Sequence, residues 1–183
     1  MNKVEAFEVL IAGLICGLVI SFPSFENYRE IVLISVVSLF LHTLSHKFVA
    51  KRINLIANFK LWVRGTISSV GLTLLLSIFA PLKILCFEGL EIAKYRFKVG
   101  KRKLTYEEVG IISLAGPTVN LLLAILLWIF QTPLSPLIVS VNCWLALFTI
   151  LPIEPLDGSR IFYWKKWVWL LFLILSIFLL YAI

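Results

Sequence analysis

Apolar residues in this chain come in long, nearly unbroken runs, and polar residues collect in the gaps between them. The runs lie at Ala6 to Phe22, Ile31 to Ala50, Thr66 to Phe87, Gly110 to Phe130, Leu134 to Leu151 and Trp167 to Ile183. Pro23, Pro133 with Pro136, and Pro152 with Pro155 mark run ends, where helices stop. A bilayer core takes about 20 consecutive apolar residues per helix. The pattern therefore predicts an all-α polytopic membrane protein with five or six transmembrane helices, in a single membrane-embedded domain over residues 1–183. The apolar stretch from Val9 to Phe22 follows Lys3, Glu5 and Glu8 with no small-residue cleavage site, so it reads as a first span and not a cleaved leader.

The third run decides which side every later loop faces. If it crosses fully, the basic residues divide between the two sides. If it enters and returns, turning near Pro81, nearly all of them share one side and Arg29 stands alone on the other, with Lys83 uncounted. The positive-inside rule favours the second arrangement, with a re-entrant segment around residues 66–93 and basic loops toward the cytoplasm. Backbone that re-enters is tolerated only beside protein or a watery cavity. Next, Lys94 to Lys103 alternates basic and apolar residues, which fits a small β-hairpin near 94–104. Its edge could pair with an extended peptide, but its charge better suits a cytoplasmic anchor on anionic headgroups.

Composition sharpens this picture. Hydrophobic residues make up 61% and charged residues 15%, outside the balance of a soluble domain. The net charge of +7 lies beside apolar spans, so it points to membrane lipids as partners and not to nucleic acid. Cys16, Cys86 and Cys143 are odd in number and widely spaced, which suits neither a disulfide framework nor a CxxC metal site.

Candidate chemistry begins in the second run. His42 and His46 stand at i and i+4, on one helical face, a spacing used for zinc in helical metalloprotease motifs. The pair could also pack between helices, each histidine bonded to a carbonyl. Asp157, in Leu156-Asp157-Gly158, changes the balance, because an ionisable group near membrane depth is costly and usually functional. Two histidines and a carboxylate make a three-ligand zinc set with a fourth position open, the catalytic arrangement. An N-cap for the last span is the alternative use of Asp157.

His42-x-x-x-His46, then Gly116-Pro117-x-x-Asn120, then Asn142 and the stretch from Phe148 to Gly158, together resemble the site-2 protease family of intramembrane zinc metalloproteases. The resemblance covers most of the chain from Leu41 to Arg160. It implies one zinc ion per chain held by His42, His46 and Asp157, and a core helix carrying Asn120 beside them, either lining the site or bonding a neighbouring helix. Substrates would be transmembrane proteins or peptides. The departures are specific. The family's glutamate after the first histidine, the general base that takes a proton from the attacking water, is Thr43 in this chain. Thr149 replaces an asparagine and Ser159 a second glycine. Glu154, three residues before Asp157, is a candidate substitute base if its loop folds back, and a solvated loop acid otherwise.

Three functions are compatible with these residues. The first is a membrane-embedded zinc metalloprotease, impaired or inactive at position 43. The second is a non-catalytic relative that binds membrane proteins, and the third is a small metal or proton transporter.

Overall fold

The computed structural model describes residues 1–76, 83–85, 88–94 and 104–182. Two helices open the chain, α1 (Lys3–Ser21) and α2 (Tyr28–Arg52). Asn2 caps α1 by accepting the Glu5 N–H at 2.7 Å. The two helices touch backbone to backbone because Gly13 and Gly17, four residues apart, face Val36 and Val32. A Cβ at either glycine would lie 2.7 Å or 2.6 Å from the facing Cα. Small residues at that spacing are a common way for membrane helices to approach closely.

Asn54, with φ 57°, turns the chain out of α2 into strand β1 (Leu55–Leu61). Helix α3 (Val63–Leu76) follows, and strand β2 (Glu88–Lys94) then pairs antiparallel with β1. The register puts Leu61 opposite Glu88 and Leu55 opposite Lys94. The chain thus leaves β1 at Leu61, passes through α3, and is back beside its point of departure at Glu88. The sheet lies upstream of the hairpin expected near 94–104. Lys94 is its last residue, and residues 95–103, with the expected turn at Pro81, fall outside the described residues.

The second half is helical. Helix α4 (Tyr106–Phe130) starts at a reciprocal cap in which Thr105 and Glu108 satisfy each other's backbone N–H groups. Helix α5 (Ser135–Thr149) returns against it after a short turn, so the two are antiparallel. The short helix α6 (Asp157–Trp164) and helix α7 (Lys166–Tyr181) complete the fold. Gly110 on α4 lets Trp164 of α6 seat against its backbone, since a Cβ there would lie 2.6 Å from the indole.

Helices α1, α2 and α4 are long and apolar enough to cross a membrane. The apolar helices α3, α5 and α7 have 14, 15 and 16 residues, below the length of about 20 that spans a bilayer core. The apolar helices mark the protein as membrane-associated.

Candidate metal centre

One turn of α2 faces two turns of α4. His42 meets Asn120 and His46 meets Ile112, so the two helices run in opposite directions across the contact. Because α5 then runs back along α4, its C-terminal end lies toward the C-terminal half of α2, and the loop after it returns Asp157 to the histidines. Gly158 makes that return possible: a Cβ there would fall 1.8 Å from the Ile150 carbonyl oxygen, so the turn closes directly onto the preceding backbone.

All three sequence-predicted ligands come together. Ligand atoms of His42, His46 and Asp157 lie within 4.8 Å of one another, and all three residues are buried. Asp157 Oδ2 is 3.3 Å from His42 Nε2 and 3.1 Å from His46 Nε2. The rings meet edge to face with centroids 4.7 Å apart. Burial works to raise the pKa of Asp157, but the imidazoles, His46 foremost, outweigh it and hold the carboxyl well below its ordinary range.

These distances suit a single metal ion. Ligands about 2.0–2.1 Å from a tetrahedral zinc are spaced about 3.3 Å from each other, close to the separations of Oδ2 from each Nε2. Gly116 supplies the floor. A Cβ at that position would lie 2.2 Å from His42 Nε2 and 2.4 Å from His46 Nε2, in the space where the two nitrogens converge. Asp157 Oδ1 is buried and has no hydrogen-bond partner among the described residues. The cluster is consistent with one zinc ion.

Each histidine is also held from behind. His46 Nδ1 lies 2.7 Å from the Ile112 carbonyl oxygen, and His42 Nδ1 lies 3.0 Å from Asn120 Nδ2. Outer contacts of this kind orient ligand imidazoles. Asn120 is fully buried, so it belongs to the site's outer wall.

Thr43 follows His42 on α2 and is buried, with a hydroxyl that has no hydrogen-bond partner among the described residues. Glu154 is solvent-exposed and is not a member of the cluster, the position of a solvated loop acid. Asp157 is not a cap for the last span. The residue capping α6 is Leu156, α7 begins separately at Lys166, and the Asp157 carboxylate is turned to the histidines instead. Asn142 is buried and donates to the Ile138 carbonyl within its own helix at 2.8 Å. Gly116 and the Ile112 carbonyl are the site elements that the sequence reading did not single out for these roles.

Comparison with known proteins is consistent with this geometry. The chain is 31% identical over 176 residues to a "putative zinc metalloprotease" of Methanocaldococcus jannaschii, an alignment covering 90% of this chain and 86% of that protein. No protein-family profile matches the chain, and no solved structure matches it.

Proposed function

This chain belongs to the family of that Methanocaldococcus protein, and from this premise we propose that it is a multi-pass, site-2-protease-like intramembrane metalloprotease homologue. It holds one zinc ion through Nε2 of His42, Nε2 of His46 and the carboxylate of Asp157. The observation that carries this reading is the convergence of these three buried groups over the bare backbone of Gly116.

Bound zinc would supply Lewis acidity to a peptide carbonyl and to water. The chain's own residues do the rest. Asp157 and the histidines fix the ion at the junction of α2, α4 and α6, Asn120 and Ile112 hold the imidazole planes, and the surrounding helices exclude bulk water. Membrane proteins are the natural substrates of a site held among apolar helices. The pairing of Leu61 with Glu88 supports the re-entrant arrangement of the intervening segment, because a chain that returns to its starting point has not changed sides. That arrangement keeps the basic loops and the metal centre toward the cytoplasm.

Metal content tests the reading without knowledge of a substrate. The detergent-purified protein is expected to carry about one tightly held zinc per chain, and His46→Ala and Asp157→Ala to carry none. A metal-free protein that takes up no zinc on titration would end it.

Thr43 favours a second reading, a non-catalytic relative that binds membrane proteins without cutting them. A hydroxyl cannot accept a proton from water near neutral pH, and loss of a positioned base costs on the order of 100- to 10,000-fold in rate. Thr43→Glu is therefore expected to raise peptidase activity on a transmembrane substrate by that order. A rate that does not move assigns the chain to the non-catalytic class.

A further inference from the structure

Beside the metal centre, the loop that carries Asp157 packs against the sheet. A Cβ at Gly89 of β2 would lie 3.6 Å from Pro155 Cγ, so β2 and the loop before α6 are in contact. Next to that contact is a cavity of about 240 Å³, lined by Lys60 and Leu61 of β1, Leu90 and Glu91 of β2, and Pro155 with Arg160. Its charges do not balance. Lys60 and Glu91 answer each other at 3.0 Å across the two strands, which leaves Arg160 as the uncompensated charge of the cavity wall.

Arg160 is half-buried, and its Nη2 donates to the Leu90 carbonyl oxygen. Its Nη1 is closed to solvent and has no hydrogen-bond partner among the described residues. A guanidinium is always charged and offers five N–H donors, so one carbonyl leaves most of them unanswered. A charge withdrawn from water is costly unless an anion compensates it. The same group lies close to the centre. Arg160 stands three residues after Asp157 on α6, on the same face and about one turn away. One turn and the length of an arginine side chain come to on the order of 10 Å, about three residues of extended peptide.

We propose that Arg160 is a specificity-determining residue that binds a carboxylate side chain of the membrane-protein segment held at the centre, about three residues from the carbonyl placed above Gly116. The proposal deepens the metalloprotease reading and rests on it. A guanidinium takes a carboxylate through two parallel N–H···O bonds, and the Leu90 carbonyl fixes the plane in which they form. Glutamate or aspartate is therefore the side chain selected. A headgroup phosphate has similar chemistry, but the groups placed for headgroups are Lys165 and Lys166, exposed beside Trp167 where α6 meets α7. Arg160 faces instead the cavity between the sheet and the loop of Asp157.

The test reads binding and so does not depend on turnover. Transmembrane probe peptides rich in Leu and Ala, each with one Glu stepped through successive positions, are immobilised beside their Gln isosteres. The detergent-purified chain is passed over them in surface plasmon resonance. Near the expected spacing, Glu is expected to bind about tenfold more tightly than Gln. Arg160→Gln is expected to lose that preference, and Arg160→Lys to keep part of it, since an ammonium retains the charge without the fork. Equal binding of Glu and Gln peptides at every position would overturn the proposal. So would a preference of one size at all positions, which the net charge of +7 alone would give. Both comparisons need only the unsubstituted chain, should Arg160→Gln fail to fold. A preference that persists in Arg160→Gln, or one abolished by added phosphatidylglycerol, would equally remove the role, the latter by assigning the guanidinium to lipid. Zinc content of the same samples keeps the two readings apart. Zinc without a Glu preference ends the role of Arg160 alone, and a positional Glu preference without zinc leaves Arg160 as the acid-binding residue of the non-catalytic relative.

Discussion

Two buried polar clusters tie α2 to its neighbours, and they treat their hydrogen-bonding groups in opposite ways. Near the start of the chain, Glu5 Oε1 accepts the Phe59 N–H at 2.8 Å and the Lys47 ammonium at 2.7 Å. Lys47 also donates to the Ala57 carbonyl at 3.0 Å, and Glu8 accepts the Leu61 N–H at 3.1 Å. That cluster is matched to the outer edge of β1, whose unpaired backbone groups would otherwise lie open. At the metal centre, Asp157 Oδ1, Asn120 Oδ1 and Thr43 Oγ1 are buried with no hydrogen-bond partner among the described residues. Each buried unsatisfied group costs on the order of 1–3 kcal/mol. A fold that satisfies its carboxylates at one end and leaves one half-satisfied at the other marks the first as structural and the second as kept for a ligand.

The largest expected effect breaks the second cluster by filling its floor. Gly116→Ala places a Cβ 2.2 Å from His42 Nε2, so the ring must move away from the convergence point. Zinc affinity is expected to fall by on the order of 100-fold or more, at or beyond the upper range for displaced ligand geometry. Gly71→Ala on α3 is the matched control, since a Cβ there meets nothing within 4 Å. Equal zinc affinity in the two variants, measured by competition against a chelator, would show that the glycine floor does not set the site.

Which parts were legible beforehand follows from what a sequence can encode. The histidine pair was readable because helical periodicity puts i and i+4 on one face, and Asp157 because a carboxylate next to apolar runs demands a reason. Ile112 contributes through a carbonyl oxygen, which no side chain announces. Gly116 entered the sequence reading only as the first residue of Gly116-Pro117-x-x-Asn120, and its closeness to both imidazoles exists only after α2 and α4 have crossed. Strand β1 did carry a signal. Leu55, Ala57 and Phe59 are buried and alternate with the exposed Asn58 and Lys60, the period of a strand, directly after a long apolar run that drew attention instead. Glu5 and Glu8 read as charges flanking a first span. Their use as partners for β1 needed the strand to be seen first.

The smaller expected effect breaks the first cluster and leaves the second intact. Glu5→Leu removes the acceptor of the Phe59 N–H and the charge partner of Lys47 in one change, while α1 keeps a good helix former at that position. Loss of a hydrogen bond to a charged group costs about 1.5–3 kcal/mol, so the unfolding midpoint in mild detergent is expected to drop. Zinc stoichiometry should stay unchanged, because no ligand or outer partner of the centre depends on Glu5. Lys47 follows His46 directly in sequence, which makes this a demanding test of separateness: if the Glu5→Leu protein lost zinc in step with stability, the two clusters would be one unit and the contrast between them would fail. A lowered midpoint with full zinc content would show instead that the polar network at the edge of β1 holds the fold while the centre between α2, α4 and α6 holds the ion.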